Sequence, residues 1–134
     1  MMLYSTVLLK FDVPNKNNRI YPRSLFEYLD VTVRVFGETV KEYESVYECS
    51  FTELNQISHV ATNFVLTDTE LRCDIEILDT KPGRDLKMII ERKCKGHFAP
   101  RGMGSIRHAI DGVVTVQDDY ELIAFDFLVG EEYD

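Results

Sequence analysis

Alternation of apolar and polar residues is clearest between residues 70 and 80 of this 134-residue chain. There, Leu71, Cys73, Ile75 and Ile77 share one face of a period of two, and charged side chains share the other. This period is typical of a β-strand with one buried face. Asp111-Gly112 predicts a hairpin within residues 105–117, because this pair supplies the positive φ angles of a tight turn. Further strands are predicted over residues 3–11, 31–36, 45–51, 59–68 and 120–129.

The period changes to that of a helix after residue 80, with Leu86, Ile89, Ile90 and Cys94 on one apolar stripe. Asp79 or Thr80 can cap this helix, Pro82 lies in its first turn, and Gly96 is expected to end it. The stretch GHFAPRGMGSI, residues 96–106, is punctuated by Gly and Pro and is expected to be a loop. A short helix is predicted to begin at Pro22, over PRSLFEYLD.

The order of these elements does not alternate between strands and helices. We therefore expect an α+β fold, with a small antiparallel-rich β-barrel or strongly curved sheet flanked by one long and one short helix. The length fits a single domain over residues 1–134.

Composition excludes several classes of function. A net charge of −8 disfavours nucleic-acid binding, and no apolar run is long enough to span a membrane. The glycine turns lack the spacing of phosphate-binding loops, so we expect no cofactor. No metal site is expected either, because short ligand spacing is missing among Cys49, His59, Cys73, Cys94 and His97. The few, scattered cysteines suit a reducing cytoplasm, and Cys94 is expected to be a core residue.

His59 is the most informative histidine. A period of two places it on the same face as Ile57 and Ala61, so its imidazole is expected to point toward the apolar side. A histidine there is usually a hydrogen-bonded core or boundary residue, and the minority case is a catalytic base.

Several stretches, in the same order over nearly the whole chain, resemble the phage prohead core proteases, the T4-type scaffold-cleaving serine proteases distantly similar to herpesvirus assemblin. The stretches are NKNNRIYPRSLFEYL, ISHVATNF, DIEILDTKPGRDLKMIIERKCKGHFAPRGMGSI and VTVQDDYELIAFDFLV. The resemblance implies a small β-barrel flanked by helices. It also implies a nucleophilic serine within a Ser-Ser-Arg-Gly motif after the long helix, and a His-Pro pair before the strand that carries His59.

Both catalytic elements are missing here. The two serines fall at Ala99 and Pro100, whereas Arg101, Gly102 and the later Gly104 and Ser105 match, and no His-Pro occurs in the chain. A methyl group and a pyrrolidine ring offer no hydroxyl to deprotonate. The resemblance therefore implies a degenerate site at Ala99, Pro100, Arg101 and Gly102.

We accordingly expect a catalytically inactive, prohead-protease-like component of a tailed-phage virion: a minor capsid, head-stabilising or head-tail connecting protein. Expected partners are capsid, scaffold or connector proteins, with further copies of the chain as another candidate, in the host cytoplasm during assembly. The basic stretch around the long helix suggests Arg84, Lys87 and Lys95 as partner-binding residues. One alternative is an active protease that uses Ser105 or Ser58 with His59 or His97 as base. Another is an adaptor or inhibitor that binds a phage or host protein.

Overall fold

The computed structural model describes residues 2–40 and 52–130. The helix α1 spans Lys81–Glu91, and short 3-10 helices span Arg23–Phe26 and Leu54–Gln56. The strands are β1 Met2–Lys10, β2 Arg19–Ile20, β3 Val35–Val40, β4 Ile57–Leu66, β5 Glu70–Ile77, β6 Gly96–Met103, β7 Ile106–His108, β8 Val114–Val116 and β9 Glu121–Val129.

Within residues 2–40 and 52–130, the main sheet has six strands in the order β1-β5-β4-β3-β9-β6. Its pairs are antiparallel except for β3 and β9, which run parallel. β2, β8 and β7 form a second, small sheet. Irregularities in register interrupt the ladders at Val7/Leu9, Gly37/Glu38, Thr62/Val65 and Arg101/Gly102, and such bulges bend and twist strands. The sheet is strongly curled into a half-barrel, which confirms the expected antiparallel-rich, curved fold.

The core fills the inside of this curl. The apolar face of β5 points inward as its alternation predicts, with Leu71, Cys73, Ile75 and Ile77 all buried. Phe26, at the end of the 3-10 helix that begins after Pro22, is fully buried. Its ring centroid lies 6.1 Å from that of Phe11. The short helix predicted at Pro22 is thus a 3-10 turn that anchors an aromatic ring.

The strand predicted over residues 31–36 is wrong for residues 31–34. Val31 and Thr32 lie in an exposed turn, and the strand begins at Val35. The carboxylate of Asp30 accepts a hydrogen bond from the backbone N–H of Thr32 at 2.7 Å, and this local bond competes with strand pairing. The strand predicted over residues 45–51, and Cys49 with it, lie outside the described residues.

The start of α1 is predicted correctly, and its end is not. Thr80 caps the helix by accepting a hydrogen bond from the N–H of Gly83 at 3.1 Å. The helix ends at Glu91 because Lys93 adopts a left-handed φ of 56°. The N–H groups of Lys93 and Cys94 then bond to the carbonyls of Ile90 and Ile89, the pattern of a Schellman motif. Cys94 is therefore beyond the helix and exposed, so its prediction as a core residue is wrong.

Residues 96–103, predicted to be part of a loop, form the strand β6. Gly96 opens this strand instead of closing the helix. A Cβ atom at Gly96 would lie 2.4 Å from the ring of Phe127, so glycine is needed there for close packing against β9. Pro100 is tolerated because β6 is an edge strand of the sheet, where a missing N–H does not interrupt a ladder on both sides.

Candidate functional site

The residues implied as a degenerate site lie together on β6. Ala99, Pro100 and Arg101 pair with Asp126, Phe125 and Ala124 of β9. Ala99 is buried, whereas Pro100 is only half-buried. A cleft of ≈ 260 Å³ is lined by Pro100, Arg101 and Gly102, together with residues of the small sheet and its neighbours. The position that the resemblance implies for a nucleophile is thus at a concave surface.

Arg101 is held in a buried ionic network. Its guanidinium donates to the carboxylate of Asp126 at 2.7 Å through Nε and at 3.3 Å through Nη2. Nη2 also donates to Glu38 at 3.1 Å and to the hydroxyl of Thr52 at 3.2 Å. Arg101 is 4% exposed and Asp126 is 0% exposed. Burial raises the pKa of the Glu38 carboxyl, while the nearby guanidinium of Arg101 acts in the opposite direction.

This network was not predicted from the sequence. Arg101 lies 25 positions from Asp126 and 63 positions from Glu38 along the chain, so no local spacing reveals their contact. The sequence contains one indication of this network, since Asp126 interrupts the apolar run AFDFLV. A carboxylate within such a run must find a cation or several hydrogen-bond donors when it is buried.

His59 belongs to a second buried network, which is uncharged. Its Nε2 lies 2.6 Å from the backbone carbonyl of Phe125, and a carbonyl can only accept, so Nε2 carries the proton. Nδ1 then accepts a hydrogen bond from the hydroxyl of Ser58 at 2.8 Å. Ser58 in turn accepts from the hydroxyl of Thr39 at 3.0 Å. The prediction that His59 is a hydrogen-bonded residue on the apolar side is confirmed.

Ser58 and His59 have the separation of a nucleophile and its base, but both are 0% exposed. A substrate carbonyl must come to within about 3.5 Å of a nucleophile, and the buried pair leaves no path for one. Burial lowers the pKa of His59, although the carbonyl of Phe125 and the charge of Asp126 act in the opposite direction. Gly37 makes room for this contact, since a Cβ atom there would lie 2.4 Å from Nε2 of His59.

Ser105 lies in another environment. Its hydroxyl is 2.9 Å from a carboxylate oxygen of Asp119 and 2.9 Å from the side-chain carbonyl of Gln117. The backbone N–H of Ser105 also donates to Asp119, and these bonds lower the pKa of the Asp119 carboxyl. Ser105 is exposed and bonds to acceptors that hold a turn. The structure therefore does not bring Ser105 and His59 into one hydrogen-bonded group.

His97, the other candidate base, lies on β6 and faces a larger cleft of ≈ 590 Å³ between β6 and β1. Cys73 is buried in the core, and burial raises the pKa of its thiol to about 12. Within residues 2–40 and 52–130, no group of three or more His, Cys, Asp or Glu side chains could hold a metal ion. None of the helices in these ranges has the length and apolar character needed to cross a membrane.

The basic residues suggested for partner binding lie on or just after α1. Arg84 forms an ion pair with Asp79 at 3.1 Å, and Lys87 approaches Glu91 at 3.9 Å. A further pair, Lys81 with Asp85, lies on the same helix. The face is therefore a mixture of both charges. Lys95 is exposed and lies between the helix and β6.

Comparisons with known proteins give a match in structure but not in sequence. No protein-family model matches the chain, and no curated protein sequence matches it either. The structure of the bacteriophage T4 capsid assembly protease is similar, with a TM-score of 0.80 over 96% of this chain and 82% of that chain. The two sequences are 19% identical, so the similarity between the two proteins is one of fold alone. The chain has the prohead protease-like fold.

Proposed function

We propose that this chain is a catalytically inactive relative of the prohead proteases and serves as a structural or assembly component of a tailed-phage particle. It would bind a capsid, scaffold or connector protein through a fold that its relatives use for cleavage. The observation that carries this proposal is the occupation of the implied nucleophile position by Ala99 and Pro100 on β6.

The environment of these two residues supports the proposal. Catalysis by a serine needs a hydroxyl, a base within hydrogen-bond reach and donors aimed at the developing oxyanion. Ala99 and Pro100 provide no hydroxyl, and proline lacks an N–H. The adjacent Arg101 donates to Asp126 and Glu38, which fixes its guanidinium in an ion network.

The test is incubation of the purified chain with the major capsid and scaffold proteins of a tailed phage, followed by intact mass spectrometry and sedimentation. We expect unchanged masses and co-sedimentation with one of these proteins. The control is the double variant Ala99→Ser/Pro100→Ser, which restores the residues of the family motif without a new base and is also expected to leave the masses unchanged. Defined cleavage by the wild-type chain would overturn the proposal.

A divergent active protease is the second candidate, since Ser58 donates to Nδ1 of His59 at 2.8 Å. This candidate predicts that a fluorophosphonate probe adds its mass to the wild-type chain and not to Ser58→Ala. Because Ser58 and His59 are both fully buried, we expect no addition to either chain. Labelling that Ser58→Ala abolishes would establish the protease instead.

A further inference from the structure

The chain enters β4 through residues 52–56, a stretch that polar contacts hold against the sheet. Its 3-10 helix, Leu54–Gln56, has no buried side chain, and Leu54 is 88% exposed. The other 3-10 helix, Arg23–Phe26, buries two apolar side chains in the core. Few buried apolar contacts are typical of segments that open locally. The position of the 52–56 stretch therefore depends on its polar contacts.

In the part of the chain that the structure describes, two hydrogen bonds join this stretch to the sheet. The hydroxyl of Thr52 accepts from Nη2 of Arg101 at 3.2 Å, and the backbone N–H of Glu53 donates to Oε2 of Glu38 at 3.4 Å. Nη2 of Arg101 also donates to Oε2 of Glu38, at 3.1 Å. One carboxylate oxygen of Glu38 thus joins the stretch to the ion network.

Glu38 faces one cation and two carboxylates among the described residues. The cation is Arg101 of β6, and the carboxylates are Asp126 of β9 and Glu53 of the stretch itself. From β4, the apolar Ile57 lies opposite Glu38 in register. The side chain of Glu38 is 15% exposed. Burial and the two like charges raise the pKa of Glu38, and Arg101 with the N–H of Glu53 acts in the opposite direction.

The proton on Glu38 is linked to the position of the stretch. With the stretch in place, burial and the two carboxylates hold the pKa of Glu38 above its ordinary value of 4.5. If the stretch moves away, water reaches the carboxyl and Glu53 leaves, so the pKa falls toward that value. The closed form therefore binds the proton more tightly than the open form. By linkage, protonation favours the closed form, and loss of the proton favours the open form.

We propose that Glu38 is a proton-controlled latch, which holds the 52–56 stretch against the sheet when neutral and releases it when ionised. The ionised carboxylate is repelled by Asp126 and Glu53, whereas the neutral carboxyl is not. Release takes Thr52 away from the guanidinium of Arg101, at the degenerate site on β6. Access to this side of the degenerate site therefore increases as the pH rises. The latch goes beyond the assembly role and does not rest on it.

Amide hydrogen exchange, followed by NMR on the wild-type chain, measures the opening of the stretch. Each exchange rate is divided by the intrinsic rate at the same pH, which gives the equilibrium constant for opening. For the N–H of Glu53, we expect this constant to be at least about threefold larger at about pH 7.5 than at about pH 5, since one unit of pKa difference between two forms is about tenfold in equilibrium. The N–H of Leu25, which donates to Pro22 in the anchored 3-10 helix, is the reference and is not expected to show this increase. A constant for Glu53 that is unchanged, or larger at the lower pH, would overturn the inference.

Two variants separate the charge of Glu38 from the other contact of the stretch. Glu38→Gln keeps an acceptor oxygen and cannot ionise, so its opening constant is expected to be at least about threefold below that of the wild type at about pH 7.5 and independent of pH. Thr52→Val removes the hydroxyl that bonds to Arg101 but no charge, so opening is expected to increase at both pH values with its pH dependence retained. A pH dependence that persists in Glu38→Gln would assign the titration to another group and overturn the inference. Circular dichroism checks that both variants fold.

Titration of the Glu38 carboxyl by NMR tests the latch without a substitution. Its pKa is expected to lie above 4.5, and its midpoint is expected to coincide with the pH at which the opening constant of Glu53 changes. A pKa at or below 4.5, or two midpoints that differ, would show that Glu38 does not control the stretch.

Discussion

Two polar networks are buried side by side along β9, and they differ in charge. Asp126 belongs to the first, in which Arg101 joins the carboxylates of Asp126 and Glu38. The neighbouring residue, Phe125, belongs to the second, in which its carbonyl accepts a hydrogen bond from His59. Both networks include a side chain of β3, Glu38 in the first and Thr39 in the second. The first also connects β9 to β6, and the second connects β9 to β4. The comparison shows two ways in which buried polar groups of one strand are satisfied. The carboxylate of Asp126 is satisfied by ion pairing, and the carbonyl of Phe125 by a chain of neutral hydrogen bonds.

The difference in charge determines how much stability each network loses when a side chain is replaced. A buried ion whose partner is removed keeps its desolvation penalty, which costs several kcal/mol. A neutral group that loses one hydrogen bond costs about 1–3 kcal/mol. We therefore expect truncation of a side chain to lower the free energy of unfolding more in the ionic network than in the neutral one. In the neutral network, close packing around Gly37 leaves no room for a larger side chain.

The largest effect is expected from Arg101→Met. It leaves the fully buried carboxylate of Asp126 without its guanidinium, and breaking such a pair costs about 3–5 kcal/mol. The measurement is the free energy of unfolding from urea titration. The matched control is Arg84→Met, because Arg84 pairs with Asp79 on the exposed surface, where a change within about 0.5 kcal/mol is expected. Similar losses in the two variants would show that Arg101 does not stabilise the fold as a buried ion.

The second effect is that of Gly37→Ala. The new Cβ atom would lie 1.9 Å from the carbonyl oxygen of Phe125, so β3 and β9 must move apart. Overpacking of this kind costs about 1–3 kcal/mol and would lengthen the contact between His59 and Phe125. Urea titration gives the loss, and the chemical shifts of the His59 imidazole report the contact. At Gly104, where the nearest atom is 2.8 Å away, Ala is expected to cost less; the reverse order would be inconsistent with this account.

Ser58→Ala is expected to have a smaller effect. It removes the donor to Nδ1 of His59 and the acceptor for Thr39, but it leaves the bond between His59 and Phe125. The expected loss is about 1–2 kcal/mol, the lower part of the range for an unsatisfied buried group. Ser105→Ala is the control, because its hydroxyl is exposed and is expected to contribute less than about 0.5 kcal/mol. No difference between the two variants would mean that water satisfies Nδ1.

Local patterns predicted much of the fold. The alternation in β5 and the capping signal at Thr80 depend on neighbouring residues, and both are confirmed. β6 was missed because Gly96, Pro100 and Gly102 are typical of loops. The two glycines fit because β6 packs closely against Phe127 and Tyr120. Pro100 is tolerated because the strand lies at the edge of the sheet. The helix end was missed because Lys93 adopts a conformation that favours glycine.

The site was predicted only in part. The burial of His59 follows from a period of two, which is a local signal. The contact of Arg101 with Asp126 and Glu38 depends on the order of strands β3, β9 and β6 in the sheet. Topology of this kind is set by long-range pairing and not by the spacing of residues along the chain. The cleft between β1 and β6 depends on the same order, because only the finished sheet brings its two ends together.

The smallest effect is a dependence of stability on pH, and it has opposite signs in the two networks. Burial lowers the pKa of His59 in the folded chain, so the unfolded chain binds more protons below about pH 6.5, the usual value for histidine. The stability that neutral His59 contributes is therefore present above about pH 6.5 and is lost as the pH falls. Burial raises the pKa of Glu38, so its contribution is present below about pH 4.5 and is lost as the pH rises through the folded pKa.

The two contributions can be separated by variants and by spectroscopy. Unfolding free energies between pH 4.5 and 7.5 are expected to fall more steeply toward low pH in Glu38→Gln than in the wild type, because the opposing contribution is gone. In His59→Gln the decrease toward low pH is expected to become shallower. Titration of the His59 imidazole by NMR in the wild-type chain checks the assignment without a substitution. A His59 pKa at or above 6.5 would mean that hydrogen bonding and the charge of Asp126 outweigh burial, and the neutral network would then be partly ionic.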